Sequence, residues 1–206
     1  IKFLDINFDK NQTFKSEKLS SKNAKKAKYQ KKNLNTNNNS QLEMLKKLEL
    51  SYDDFRLIFN KCKEKNIDFI STPFDLDSVD FLEELGVDIY KISSGDLTNY
   101  LLLKKVAEKG KKIILSTGMG SMDEVIDSVN FIKKNGCINI VVLHCVSCYP
   151  TAHKDLNLKC IKTMKEKLNL EIGFSDHTED YKASIYSVLL GAKYIEKHFT
   201  IDKNME

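Results

Sequence analysis

The sequence predicts an α/β fold: a (β/α)8 TIM-type barrel, incomplete, with about seven strands present. Three observations predict it. From residue 68 onward, short β-branched runs alternate with amphipathic helical stretches, and such alternation implies a parallel sheet with right-handed crossovers. Seven strands with six crossovers suit a barrel lacking one strand better than an open sheet. No Gly-rich fingerprint follows the first strand, which leaves a dinucleotide-binding fold with little support.

The elements follow in order. "DFISTPFD" reads as a strand and "LDSVDFLEELG" as an amphipathic helix ending at Gly86. "VDIYKISSGD" is the next strand, with the helical "NYLLLKKVAEKG" behind it. "KKIILSTGMG" and "SMDEVIDSVNFIKKNG" repeat the pair. "INIVVLHCVSCYP" follows, then a longer loop and the helix "LKCIKTMKEKLN". "LEIGFSDHT" leads to the helix "DYKASIYSVLLGA", and "KYIEKHFT" closes the series. Ahead of these, "FLDINFDKNQTF" supplies a seventh strand. A loop up to Ser40 then gives way to a helix near "QLEMLKKLELSYDDFRLIFNKCKEK".

Length and charge narrow the function classes. A chain of 206 residues, 41% apolar, can bury one sizeable core, which suggests one domain or most of a larger one. No apolar run approaches the roughly 18 residues of a membrane span. The opening "IKFLDINFDKNQ" has neither a secretory stretch nor an initiator Met, so we expect a soluble chain truncated at its start. Net charge is only +4, and the basic stretch "SKNAKKAKYQKKNLNTNNNS" lacks an aromatic stacking platform. That favours a solvated loop over a nucleic-acid arm, while excess Lys still suits an anionic small substrate.

Five cysteines without secretory context point to reduced thiols in a cytoplasm. Cys145 and Cys148 form a C-x-x-C pair at the end of a β-branched run, where residues three apart face opposite ways. Redox pairs of this kind open a helix, and no second Cys pair completes a zinc site. Packing thiols are the expectation.

The strands share a polarity gradient. Thr72, Lys91, Ser94, Ser116, Ser147, Ser175, His177 and His198 gather at C-terminal strand ends, which in a barrel converge on the mouth that carries chemistry. Alternation places Gly173, Ser175 and His177 on one face and Glu196 and His198 on one face of the neighbouring strand. Two inward imidazoles can hold a divalent ion and leave positions open for substrate; the bland alternative is hydrogen bonding within the barrel. His144 has the opposite parity to Ser147 and Tyr149 and reads as structural. Lys91 shares a face with Ile89 and enters the barrel, where a buried ammonium needs an anion. Surrounding hydroxyls describe a phosphate or phosphate-plus-carboxylate pocket, and an internal pair with Glu196 or Asp96 is the alternative. Asp96, in "SSGD", suits general acid/base work and equally suits turn chemistry.

"KNQTF", "QLEMLKKLELS", "STPFD", "YKISSGD", "LSTGM", "LHCVSCYP", "GFSDHT" and "IEKHFT" occur in an order and spacing that resemble the sialic acid synthase family. The resemblance covers almost the whole chain and implies that residues 1–206 form one partial barrel domain. It implies condensation of phosphoenolpyruvate with an N-acylated mannosamine-type sugar, giving a nine-carbon nonulosonic acid and phosphate. His177 and His198 fall on the family's metal ligands, usually for manganese, with magnesium or cobalt as alternatives. Phosphoenolpyruvate contacts fall on Lys10, Thr72, Lys91, Ser94, Ser116, Ser147 and Ser175, and sugar contacts on Gln12, Asp96 and Tyr149. Asp96 stands where many bacterial members carry Glu, and Ser147 where some carry Asn. Full-length members are homodimers with a further first strand and a C-terminal antifreeze-like domain; this chain is expected to be a fragment lacking both. Two alternatives stay open: another phosphoenolpyruvate-dependent aldose condensation, or an inactive barrel remnant acting in binding or assembly.

Overall fold

Alternate residues of each strand serve two different faces, and that parity builds the fold. The computed structural model describes residues 2–6, 12–13, 24–26 and 40–202, the first two runs as backbone. Its strands are β1 (Lys2–Ile6), β2 (Gln12–Thr13), β3 (Thr72–Pro73), β4 (Ile89–Ile92), β5 (Lys112–Ser116), β6 (Ile140–Cys145), β7 (Glu171–Asp176) and β8 (Tyr194–His198). The α-helices among the described residues are α1 (Gln41–Leu48), α2 (Tyr52–Glu64), α3 (Leu76–Leu85), α4 (Tyr100–Ala107), α5 (Met122–Lys134), α6 (Cys160–Leu168) and α7 (Lys182–Leu189).

Six strands pair in parallel in the order β1-β8-β7-β6-β5-β4, and β2 pairs in parallel with β3. A parallel bridge from Ser71 to Tyr90 ties the β3 end to β4. The result is a curled parallel sheet covered by helices. Outward-facing Tyr90, Ile92, Ile113, Leu115, Val142, Ile172, Phe174 and Ile195 join the large core with helix residues such as Phe81, Leu102, Val129 and Ile161. Each such side chain contributes on the order of 1.5–3 kcal/mol by leaving water. The opposite face carries a smaller cluster, Ile114, Val141, Leu143 and Tyr194, with Ile70 and Ile89 against it. Polar residues of the same parity follow that cluster toward the strand ends.

Two expectations change here. "FLDINFDKNQTF", expected as a single strand, supplies two: β1 beside β8 and β2 beside β3. Residues 7–11 between them lie outside the described residues. Among the described residues there are therefore eight strands where seven were expected, with β1 pairing along β8. The long helix expected from Gln41 is also two helices. Ser51 caps α2 with a reciprocal box: Asp54 N donates to Ser51 Oγ at 3.1 Å, and Ser51 N donates to Asp54 Oδ2 at 2.9 Å.

Candidate active site at the strand ends

The inward parity of β4, β5, β7 and β8 brings an ammonium, two hydroxyls, a carboxylate and an imidazole into one chain of contacts. Lys91 Nζ donates to Ser116 Oγ at 2.7 Å and to the Ile92 carbonyl at 3.2 Å, and lies 3.4 Å from Glu196 Oε2. Ser175 Oγ donates to Glu196 Oε1 at 2.6 Å and lies 3.1 Å from His177 Nε2. His177 Nδ1 lies 2.7 Å from the Val146 carbonyl. Lys91, Ser116, Ser175 and Glu196 are all buried. Glu196 Oε2 has no hydrogen-bond partner among the described residues; its contact with Lys91 is an ion pair without hydrogen-bond geometry.

The two histidines meet as expected, with ring centroids 5.7 Å apart. Tyr149 stands against both, 4.3 Å from His177 and 6.0 Å from His198. A carbonyl only accepts, so the Val146 contact fixes the proton of neutral His177 on Nδ1 and leaves the Nε2 lone pair toward the mouth. Burial holds the His177 pKa below its usual value. His198 sits at the solvent-open rim, yet its pKa is also pushed down, by desolvation of its inner side and then by His177.

A second group of contacts joins β4, β5 and β6. Gly118 N donates to Ser94 Oγ at 2.9 Å and to Cys145 Sγ at 3.1 Å, and Ser94 Oγ lies 3.2 Å from Cys145 Sγ. A Cβ at position 118 would lie 2.4 Å from Ser147 Oγ, so the absent side chain is what lets the hydroxyls approach the backbone there. Cys145 is thus a buried member of the mouth, where packing alone was expected; its parity with Ser147 is the signal that points there. Cys145 and Cys148 are free thiols, one buried and one exposed.

Other expected residues are placed differently. Thr72 is buried at the start of the two-residue β3 with Gln12 as its backbone partner in the register. Lys10 lies outside the described residues, as does the side chain of Gln12. Asp96 accepts from Ser93 Oγ at 2.8 Å and Asn99 Nδ2 at 3.0 Å, which ties it to its own 3-10 turn, Ser94–Asp96. The ion-pair partner of Lys91 is Glu196, not Asp96. His144 faces the helices, its Nε2 2.8 Å from the Leu156 carbonyl and its ring stacked on Phe174.

The buried histidines make stability depend on pH with a definite sign. His144 and His177 have pKa values lowered by burial, so the unfolded chain binds their protons more readily. Their contribution is complete above the unfolded pKa near 6.5 and is lost as pH falls below it, by about 1.4 kcal/mol per pH unit for each group. Urea midpoints at pH 7.5, 6.0 and 5.0 should fall in that order, and His144→Asn should flatten the dependence.

The NeuB family profile matches residues 4–206. The chain belongs to the NeuB family. It is 48% identical over 200 residues to N,N'-diacetyllegionaminic acid synthase of Campylobacter jejuni, covering 96% of this chain and 60% of that protein. The protein of the same name from Legionella pneumophila is 43% identical over 198 residues, covering 94% of this chain and 55% of the relative. This NeuB-family chain therefore spans little more than half the length of these relatives. Its fold is similar to the crystal structure of an N-acetylneuraminic acid synthetase from Leptospira borgpetersenii in complex with citrate. The TM-score is 0.82 at 36% identity, over 93% of this chain and 61% of that one. A truncated 3-deoxy-D-arabino-heptulosonate 7-phosphate synthase from Thermotoga maritima shares the fold, with a TM-score of 0.64 at 18% identity.

Proposed function

We propose that this NeuB-family chain carries the strand-end site of a nonulosonic acid synthase, its curled sheet forming part of a (β/α)8 barrel. The reaction is condensation of phosphoenolpyruvate with an N-acylated mannosamine-type sugar, with release of phosphate. The observation that supports it is the single run of contacts from Ser116 through Lys91, Glu196 and Ser175 to His177. It joins a buried cation suited to an anionic substrate to an imidazole pair suited to a metal.

Among the described residues no cluster of three or more His, Cys, Asp or Glu is grouped for a metal, so the fit to a divalent cation rests on the two imidazoles. His177 presents a bare Nε2 because its Nδ1 is committed to a carbonyl, which is the usual outer-shell arrangement of metal-binding histidines. His177 and His198 would hold manganese, magnesium or cobalt, with oxygen ligands in the remaining positions. When bound, the ion supplies Lewis-acid polarisation of the sugar aldehyde oxygen.

The chain's own groups do the rest. Lys91 binds the anionic end of phosphoenolpyruvate, with Lys10, Thr72, Ser94, Ser116 and Ser147 donating around it and Ser175 lining the same pocket with its proton held by Glu196. Gln12 and Tyr149 orient the sugar, and Asp96 moves a proton on the sugar side. The two named relatives above favour the diacetylated sugar that leads to legionaminic acid over N-acetylmannosamine. A cytoplasmic location accompanies this reading, and a homodimer is the expectation for full-length members of the family. No described helix is long and apolar enough to cross a membrane.

Phosphate release from phosphoenolpyruvate with manganese and each candidate sugar tests the reaction. Turnover of the diacetamido sugar, lost in His198→Ala together with manganese binding, is the expected result. Turnover of a sugar phosphate alone, or manganese affinity unchanged in His198→Ala, would refute the reading.

A further inference from the structure

Glu196 stands at the middle of the network, 7% exposed, between Lys91 on one side and Ser175 on the other. Ser175 has one proton and two neighbours that want it. Glu196 Oε1 is 2.6 Å from its oxygen and His177 Nε2 is 3.1 Å away. An ionised carboxylate only accepts, so the shorter contact claims the proton. His177 Nε2 then faces a serine oxygen with no proton between them, since the ring's own hydrogen is on Nδ1 toward Val146. Two lone pairs meet at that distance, an arrangement that a cation relieves.

We propose that Glu196 is a positioning residue that steers the Ser175 proton away from His177 and so keeps the Nε2 lone pair open for a divalent cation. The inference rests on the metal reading of His177 and His198. Glu196 touches neither the cation nor the substrate in this role; it acts through Ser175. Without it, the Ser175 hydroxyl turns and donates to Nε2, and a cation must break that hydrogen bond before it can bind. Ser175 is then a competitor of the metal, not a helper.

The role has a signature that loss of negative charge alone does not share. In Glu196→Gln the donor-only Lys91 claims the amide oxygen, so the amide NH2 donates to Ser175 Oγ and the Ser175 hydroxyl turns to donate to Nε2. Removing that hydroxyl as well leaves nothing to occupy the lone pair. Calorimetric titration of manganese into the full chain, without substrate, separates the cases, with folding of each variant followed by far-UV circular dichroism. We expect Glu196→Gln to bind manganese about 10- to 100-fold more weakly, the range found for outer-shell partners of metal ligands. Ser175→Ala should bind within about threefold of the parent chain, and Ser175→Ala/Glu196→Gln should recover to the Ser175→Ala value.

Unchanged affinity in Glu196→Gln overturns the proposal. So does a double variant as weak as Glu196→Gln, which would mark a charge effect. Should Glu196→Gln not fold, a tenfold loss in Ser175→Ala is sufficient to overturn it. Failure of the parent chain to bind manganese at all would instead remove the metal reading on which the inference stands.

Discussion

Lys91→Ala is expected to abolish phosphoenolpyruvate binding and to cost about 3–5 kcal/mol of stability, the range for breaking a buried ion pair. Lys91 and Glu196 have side chains only 6% and 10% exposed and lie 3.4 Å apart. Removing the ammonium leaves the carboxylate in a low-dielectric site, with Glu196 Oε2 already lacking any hydrogen bond among the described residues. Ser116 Oγ loses its donor as well. The two effects separate in Lys91→Met/Glu196→Gln, where both charges are gone and apolar volume is kept. That variant should regain most of the stability and none of the binding. Urea unfolding and phosphoenolpyruvate calorimetry on the three chains check this. A Lys91→Ala chain as stable as the parent would mean that the pair is not buried in solution.

Gly173→Ala is expected to be the most damaging single methyl in the sheet. Its Cβ would lie 2.5 Å from Leu143 Cδ2, 2.7 Å from Tyr194 Cβ and 2.7 Å from the Tyr194 carbonyl oxygen. Leu143 can shift, but the other two atoms are fixed to the backbone of β8. Overpacking of this kind costs on the order of 1–3 kcal/mol and sometimes more. The relief must come from spreading β7 from β8, which lead to His177 just past β7 and His198 at the end of β8. Thermal unfolding and manganese titration should therefore both deteriorate, the second even in chain that remains folded. Normal manganese affinity in a destabilised Gly173→Ala chain would show that the histidine spacing tolerates the shift.

Much of the site was legible because strand parity is a local rule with a long-range result. Ser175, His177 and Glu196 share the inner face as their spacing requires, and His144 faces the helices for the same reason. Lys91 entered the interior as expected, and the internal alternative also holds, since its partner is Glu196. Other features depend on neighbours distant in sequence. Cys145 shares the parity of Ser147 within "LHCVSCYP", but its contacts with Gly118 and Ser94, just past β5 and β4, come from neighbours that this segment does not encode. Asp96 shows the converse: its carboxylate is held by Ser93 and Asn99, so short-range turn bonding accounts for its position. The break between α1 and α2 had a local signal, Ser51 followed three residues later by Asp54, which the unbroken apolar periodicity of 41–65 obscures.

In the proposed function a preassembled mouth lets Lys91 receive phosphoenolpyruvate while His177 and His198 hold a metal. Calorimetric titration of manganese into the folded chain, with phosphoenolpyruvate saturating, tests it most directly. We expect one-to-one binding that His177→Ala removes without unfolding the chain. Absence of binding to a demonstrably folded chain, or equal binding by His177→Ala, would contradict it.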